Sequence, residues 1–275
     1  MTGVPSGFIR RVAALLVALA LAGCASPLER FEARLHAAGL ASEVVHGSEF
    51  DHLVVRKPGV AKGPLHVYIE GDGTPWHMPE RPADDPTPNV PLAFELMLRD
   101  AHAAIYLGRP CYFGVKSRPC KTRLWTDQRY SEAVVESMAR ALEASLDGSD
   151  GTRVVLFGHS GGGVLAVLLG HRMPRAAAIV TVGANLDVAG WAALHGYTPL
   201  VGSLDPAQSP PTAGEGQALP ERHFVGSDDR VVPPALVRNY ARNRPAAIVI
   251  EWSGFDHVCC WADAWRQVLA TVPAQ

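Results

Sequence analysis

A short stretch in the middle of the chain constrains the possible fold more than any other. An apolar, β-branched run over residues 154–157 leads directly into Gly158-His159-Ser160-Gly161-Gly162, and a helix-forming run over 164–169 follows at once. A strand, a sharp turn and a helix in this order present the serine hydroxyl at the end of a sheet. Glycines on both sides of the serine permit backbone approaches that a Cβ would block. The segment therefore predicts a strand–turn–helix unit with Ser160 as a candidate nucleophile.

The rest of the chain alternates between apolar runs and helical patterns. Of the 275 residues, 48% are hydrophobic and 19% are charged, which is typical of a globular protein with a sizeable core. The formal net charge of -2 does not favour a nucleic-acid partner. Strands are predicted at 53–55, 65–69, 103–107, 154–157, 176–182, 222–225 and 247–252, with helices at 28–38, 91–102, 131–146, 164–173, 235–242 and 261–272. Near-continuous apolar strands that alternate with helices predict a mostly parallel central sheet with helices on both faces.

The N-terminus has the features of an export signal. Arg10-Arg11 precede an apolar run over 12–22, which is too short to span a bilayer as a helix, and small residues follow it. The ending Leu21-Ala22-Gly23-Cys24 resembles a bacterial lipobox. That resemblance implies that residues 1–23 are a lipoprotein signal peptide and that Cys24 is lipidated. It also implies location in the bacterial cell envelope, with Ala25 favouring the periplasmic side of the outer membrane. An ordinary signal peptide cut nearby is the alternative.

Export would place the remaining four cysteines in an oxidising compartment. Four cysteines allow three pairings. Cys111 and Cys120 bracket a loop that contains glycine and proline, so they are the favoured bridge, while the adjacent Cys259 and Cys260 are candidates for a vicinal disulfide. Paired C-x-x-C spacing and a His-Glu-x-x-His motif are both absent from the sequence, so we predict no metal. No Gly-x-Gly-x-x-Gly follows a strand, so we predict no cofactor.

A serine nucleophile needs a base, and the base needs an orienting carboxylate. The chain order to look for is serine, acid, histidine. His195 precedes any suitable acidic turn, and His223 lies inside a predicted strand. His257 follows the last predicted strand on a loop, so it is the candidate base.

The acid is expected on the loop after the penultimate strand, which reads Gly226-Ser227-Asp228-Asp229-Arg230-Val231-Val232-Pro233. With this turn, the Ser160 motif and the order of elements, the chain resembles the α/β-hydrolase superfamily over nearly its whole mature length. In that superfamily a Gly-x-x-Asp-x-x-Val-Pro turn supplies the acid, which implies Asp229, with Asp228 as the alternative. The resemblance also implies a three-layer α/β-hydrolase-like fold, formed as a single domain by residues 24–275.

Backbone N–H groups must stabilise the oxygen of a tetrahedral intermediate. The resemblance implies one donor from Gly161 and a second from the loop over residues 70–76, where Asp72 and Gly73 are the candidates. A carboxylate aimed at an oxyanion would oppose catalysis. We therefore expect Asp72 to contribute its N–H while its side chain turns away, toward an arginine such as Arg109.

Together these residues predict a serine hydrolase that cleaves carboxylic esters or thioesters through an acyl-enzyme on Ser160. Its expected partners are a small-molecule ester or acyl substrate and a membrane contacted through the lipid anchor. An acyltransferase or a peptidase with the same triad is one alternative. A non-catalytic envelope lipoprotein is another; a broken triad would indicate it, but the sequence supplies every member. A cysteine enzyme that uses Cys259 or Cys260 is disfavoured, because an exported pair is expected to be oxidised.

Overall fold

A computed structural model describes residues 25–78, 80–146, 151–209 and 218–273. The strands within these residues are β1 (Ser42–His46), β2 (Asp51–Lys57), β3 (Leu65–Ile69), β4 (Trp76–Met78), β5 (Arg81–Pro82), β6 (Ala104–Leu107), β7 (Val154–His159), β8 (Ala176–Val182), β9 (Glu221–Gly226) and β10 (Ala247–Trp252). The helices are α1 (Pro27–Ala37), α2 (Leu92–Arg99), α3 (Glu132–Ser145), α4 (Gly161–Gly170), α5 (Val188–Leu194), α6 (Pro234–Ala241) and α7 (Trp261–Leu269), with a 3₁₀ turn at Thr122–Leu124.

Eight of the described strands form one sheet in the order β1-β2-β6-β3-β7-β8-β9-β10. From β6 to β10 in this order, neighbouring strands are parallel. The second strand, β2, is antiparallel to both β1 and β6. The prediction of a mostly parallel central sheet is therefore confirmed, and the carboxyl ends of the parallel strands meet at one edge.

Helices cover both faces of this sheet. On one face α4 packs on β3, β7 and β8 and against α3. On the other face α2 packs on β3, β6 and β7 and against α7. Every residue of β7, β8 and α4 is buried. A strand buried on both faces reads as a continuous apolar run, which is why the sequence predicted these central strands well. The result is the three-layer arrangement that was expected.

Three local elements differ from the prediction. The strand β1 was not predicted, because it is exposed along most of its length and lacks an apolar run. The hairpin of β4 and β5 lies in a segment for which neither a strand nor a helix was predicted. Helix α2 ends at Arg99 rather than at residue 102, since Asp100 has an extended backbone and its carboxylate accepts the N–H of His102 at 2.9 Å.

The predicted signal peptide and Cys24 lie outside the described residues. Within the residues that are described, none of the helices has both the length and the apolar character needed to span a bilayer.

Candidate active site

The turn between β7 and α4 has the conformation that the glycine-flanked serine predicts. Ser160 has φ 51° and ψ −126°, a region that non-glycine residues rarely adopt and that is characteristic of functional strain. A Cβ on Gly158 would collide with the backbone of Gly162, and a Cβ on Gly162 would collide with the carbonyl of Ile69. Larger residues would therefore disrupt the turn on both sides of the serine.

A buried carboxylate follows β9 at the same edge of the sheet. Asp229 Oδ1 accepts the N–H groups of Val231 at 2.9 Å and Val232 at 2.7 Å. Its other oxygen, Oδ2, lies 2.9 Å from His257 Nδ1. The alternative acid, Asp228, is exposed and instead accepts a hydrogen bond from the Ser227 hydroxyl. The geometry therefore pairs His257 with Asp229 and not with Asp228.

The contacts of His257 fix both its tautomer and its place. An ionised carboxylate only accepts hydrogen bonds, so Nδ1 carries the proton and Nε2 is left with a free lone pair. The carbonyl of His257 accepts a hydrogen bond from His159 Nε2 at 3.0 Å, and the two imidazole rings are 4.9 Å apart. Because His159 immediately precedes Ser160, this contact ties the histidine loop to the nucleophile turn.

Gly183 lies between the serine turn and the acid–base pair. The Ser160 N–H donates to the carbonyl of Val182, the residue before Gly183, at 2.9 Å. A Cβ on Gly183 would lie 3.1 Å from both Asp229 Oδ2 and His257 Nδ1. Among the described residues the Ser160 hydroxyl makes no hydrogen bond, and such bonds are often long or poorly aligned in hydrolases without substrate. The backbone of residues 182–183 thus contacts the serine turn on one side and the acid–base pair on the other.

The candidate oxyanion donors lie beside the serine. Gly161 is the first residue of α4, so its N–H has no partner within the helix. A Cβ on Gly161 would collide with the Asp72 carboxylate, which puts the loop after β3 directly against the nucleophile turn. Across the described residues the N–H groups of Gly161, Asp72 and Gly73 donate no hydrogen bond. All three remain free to bind an anionic oxygen.

The side chain of Asp72 points into a buried polar network, as the sequence argument required. Its carboxylate accepts hydrogen bonds from Arg109 Nη1 at 2.5 Å, Arg129 Nη1 at 2.8 Å and the Tyr130 hydroxyl at 2.7 Å. Its carbonyl accepts the Tyr112 hydroxyl at 2.9 Å. Burial opposes ionisation of the carboxyl, but the guanidinium groups of Arg129 and Arg109 outweigh it and hold the pKa of Asp72 well below its usual range. Arg109 was anticipated, whereas Arg129, Tyr130 and Tyr112 were not.

A second buried carboxylate supports the same loop and was missed by the sequence analysis. Glu70 accepts the N–H groups of Gly71 at 3.1 Å and of Ala93 at 3.2 Å, and the hydroxyl of Tyr106 at 3.2 Å. Ala93 is in the first turn of α2, where a negative charge is favourable. His159 Nδ1 lies 3.8 Å from this carboxylate. Glu70 therefore anchors the loop that carries Asp72 and Gly73 to α2.

The two rejected histidines have structural contacts. His223 is fully buried between Thr181 and Glu221, with both contacts at 2.8 Å. His195 Nε2 contacts the carbonyl of Val231 at 2.8 Å. Neither reaches the serine turn through any contact among the described residues.

Both expected cysteine pairings are present. Cys111 is joined to Cys120, and Cys259 is joined to Cys260. The first bridge closes the loop that follows Arg109, and the second follows His257 by two residues. The disulfides thus brace segments on two sides of the candidate site.

An open cleft of about 690 Å³ lies outside the acid–base pair. Its lining includes Asp229, His257, Val231 and Val258. The last two are exposed apolar side chains.

Comparison with known proteins supports the fold. No protein-family model matches the chain, and no curated protein sequence matches it significantly. Solved structures do match. A membrane phospholipase A described as a bacterial virulence factor is 17% identical, with 97% of this chain and 98% of that chain covered and a TM-score of 0.54. Mouse α/β hydrolase domain-containing protein 10 is 17% identical, with 84% and 96% covered and a TM-score of 0.56. A lidless α/β serine hydrolase from Xanthomonas campestris is 9% identical, with 86% and 96% covered and a TM-score of 0.53. The chain therefore has the α/β-hydrolase fold.

Proposed function

Because the chain has the α/β-hydrolase fold, we propose that it is a serine hydrolase that cleaves carboxylic esters or thioesters. Ser160 is the nucleophile, His257 the general base and Asp229 the residue that orients the base. One observation carries the proposal: the buried Asp229 carboxylate is 2.9 Å from His257 Nδ1, and this pair lies against the residues that hold the strained Ser160 turn. The arrangement supplies a nucleophile, a base and a carboxylate at the edge where this fold is used for catalysis.

The proposed reaction proceeds in two halves. Ser160 Oγ attacks the substrate carbonyl carbon while its proton passes to His257 Nε2, which gives an oxyanion and an imidazolium held by Asp229. Collapse of the oxyanion breaks the bond to the leaving alcohol or thiol, which takes the proton from His257. Water then attacks the acyl-enzyme with His257 again as the base. The acid is released, and Ser160 regains its proton.

We assign the oxyanion to the N–H of Gly161 and to that of Asp72 or Gly73. The network behind this loop supports the assignment, because Arg109, Arg129 and Tyr130 hold the Asp72 carboxylate while its N–H has no partner among the described residues. Donors that are fixed in place before the reaction lower the barrier without reorganisation. The hydroxyl of Tyr112, which donates to the Asp72 carbonyl, keeps that oxygen turned toward Tyr112.

The similarity in fold to a membrane phospholipase A and to a serine hydrolase without a lid supports an ester of an acyl chain as the substrate. Among carbonyl substrates, we therefore favour esters and thioesters over peptides.

Hydrolysis of p-nitrophenyl esters of graded chain length tests this function. We expect turnover by the wild type, a loss of at least about a thousandfold in kcat for Ser160→Ala, and unchanged kinetics for Ser253→Ala. Ser253 is an exposed serine on the loop that carries His257, so it controls for the loss of a hydroxyl. Full activity in a folded Ser160→Ala variant would contradict the proposal.

We also propose that the enzyme is tethered to the bacterial envelope by lipid on Cys24. The lipobox-like ending Leu21-Ala22-Gly23-Cys24 supports this, and α1 begins three residues after the cysteine. Metabolic labelling with a fatty acid is expected to mark the wild type but not Cys24→Ser. Cys259 and Cys260 are bonded to each other, so neither offers a free thiol for a lipid. Label that persists in Cys24→Ser would indicate another attachment site and would refute the tether through Cys24.

A further inference from the structure

The described residues contain a group of metal-ligating side chains that the proposed function does not use. His66, Asp100 and His102 each offer a ligand atom, and these atoms lie within 4.8 Å of one another. His66 is in β3 and pairs with Ala104 at the start of β6, so the group lies at the edge of the sheet opposite the serine turn. Gly71 lies five positions after His66 in the sequence, which at strand spacing is about 16 Å.

The carboxylate of Asp100 is the centre of the group. Its Oδ2 lies 2.5 Å from His66 Nδ1, and its Oδ1 lies 2.9 Å from His102 Nδ1. The Asp100 side chain is fully buried, the His66 side chain is 6% exposed and the His102 side chain is 39% exposed. The two imidazole rings are 4.4 Å apart. Two ring nitrogens thus converge on one carboxylate in a place that solvent reaches past His102.

Second contacts hold this carboxylate in position. The Tyr68 hydroxyl donates to Asp100 Oδ2 at 2.6 Å and itself accepts Trp265 Nε1 at 3.2 Å. Hydrogen bonds of this kind orient the ligands of metal sites. Lys57 Nζ donates to the carbonyls of Asp100 at 2.7 Å and His102 at 2.8 Å, so it fixes the backbone that carries two of the three side chains.

We propose that His66, Asp100 and His102 bind one divalent transition-metal ion of the Zn²⁺ class. Two imidazole nitrogens and a carboxylate oxygen form a donor set that such ions prefer, and water completes the shell. Bonds of about 2.0–2.1 Å in a tetrahedral site place the ligand atoms about 3.3 Å apart, so the ion enters after small side-chain rotations. The ion displaces the proton from each Nδ1. In a neutral ring this proton moves to Nε2, and in a charged ring it is released to solvent.

The ion stabilises the fold and takes no part in hydrolysis. His66 comes from β3, whereas Asp100 and His102 come from the connection between α2 and β6. A bound ion therefore cross-links these two segments at the edge of the sheet opposite the serine turn. No metal was predicted, because the sequence has neither paired C-x-x-C spacing nor a His-Glu-x-x-His motif. Asp100 lies 34 residues from His66, far outside the short ligand spacings of such motifs.

Calorimetric titration of the untagged, chelator-treated protein with Zn²⁺ tests the proposal. We expect one ion per chain in the wild type and an association constant at least about tenfold lower in His102→Gln. Removal of a ligand lowers metal affinity more than removal of an outer hydrogen bond does. His36→Gln, which removes an exposed histidine elsewhere on the surface, is expected to bind like the wild type. Zn²⁺ should also raise Tm in the wild type and in His36→Gln but not in His102→Gln.

A second measurement keeps the test independent of any variant. Bound Zn²⁺ is expected to protect the partly exposed His102 from modification by diethylpyrocarbonate, located by peptide mapping, while His36 stays reactive. Absence of saturable one-to-one binding overturns the proposal, as does equal binding by His102→Gln. In either case the group is a metal-free hydrogen-bond network. Ester hydrolysis should be the same with and without Zn²⁺, so the outcome is separate from that of the proposed function.

Discussion

Replacing Gly183 by alanine displaces the acid–base pair without removing any of the proposed catalytic groups. A Cβ at this position would lie 3.1 Å from Asp229 Oδ2 and 3.1 Å from His257 Nδ1. Ordinary contacts of carbon with such atoms are about 3.5 Å, so the pair must move by about 0.4 Å. Misplacement by about 1 Å costs about a hundredfold in rate. Scaled to 0.4 Å, we expect kcat to fall by about tenfold.

The backbone adds a separate effect on stability. Gly183 has φ 54°, and a left-handed conformation costs a residue with a Cβ about 1–2 kcal/mol. For a chain of this size that corresponds to a decrease in Tm of about 2–8 °C. Gly39→Ala is the matched control: its φ is 65° and nothing lies within 4 Å of the added Cβ. It should lose similar stability without any change in kcat.

The assay is steady-state hydrolysis of p-nitrophenyl butyrate with Tm measured on the same samples. Gly183→Ala should show the tenfold loss in kcat, and Gly39→Ala should retain the wild-type value. A folded Gly183→Ala variant with kcat within twofold of the wild type would refute the role of the Asp229–His257 pair.

Three further predictions follow from other contacts. Asp229→Asn should lower kcat by about 10³–10⁴-fold, because an amide no longer selects the Nδ1–H tautomer of His257. Steady-state kinetics measures this loss, and an unchanged far-ultraviolet circular dichroism spectrum shows that the variant is folded. A loss below tenfold would count against the role of Asp229. Cys120→Ser should lower the free energy of unfolding by about 2–3 kcal/mol, since the bond to Cys111 closes a loop with a sequence separation of 9. An unchanged urea midpoint under non-reducing conditions would show that the bridge does not stabilise the fold. Burial of Glu221 opposes ionisation, but His171 and His223 outweigh it and lower its pKa from 4.5 to about 2. A depressed pKa gives stability that is complete above about pH 4.5 and is lost as the pH falls toward 2, so urea midpoints should decline over this range in the wild type and decline less in Glu221→Gln; equal slopes would exclude this carboxylate as the cause.

Much of the fold could be predicted because its central strands are buried on both faces. The central strand β8 was predicted at the residues where the structure has it, since it is a continuous apolar run. The edge strand β10 was also predicted in full, because its residues are mostly apolar although they are only partly buried. The edge strand β1 was missed for the opposite reason: its residues are largely exposed, and its pairing with β2 is determined by tertiary contacts that no local pattern records.

The candidate site shows the same division. The Ser160 turn is local, so its residues are adjacent in the sequence, and the strained backbone follows from the glycines around it. The choice of Asp229 over Asp228 depended on family resemblance, and only geometry distinguishes the buried side chain from its exposed neighbour. Arg129 and Tyr130 lie 57 and 58 residues from Asp72. No sequence spacing indicates that contact, because it forms only when the sheet brings the two loops together.

The central claim is that Ser160 is activated as a nucleophile, and covalent labelling with a fluorophosphonate followed by peptide mapping tests it most directly. We predict one phosphonyl group per chain, attached to Ser160, absent from Ser160→Ala and formed far more slowly in a folded His257→Gln variant. Labelling of another residue, or labelling that persists in Ser160→Ala, would contradict the account.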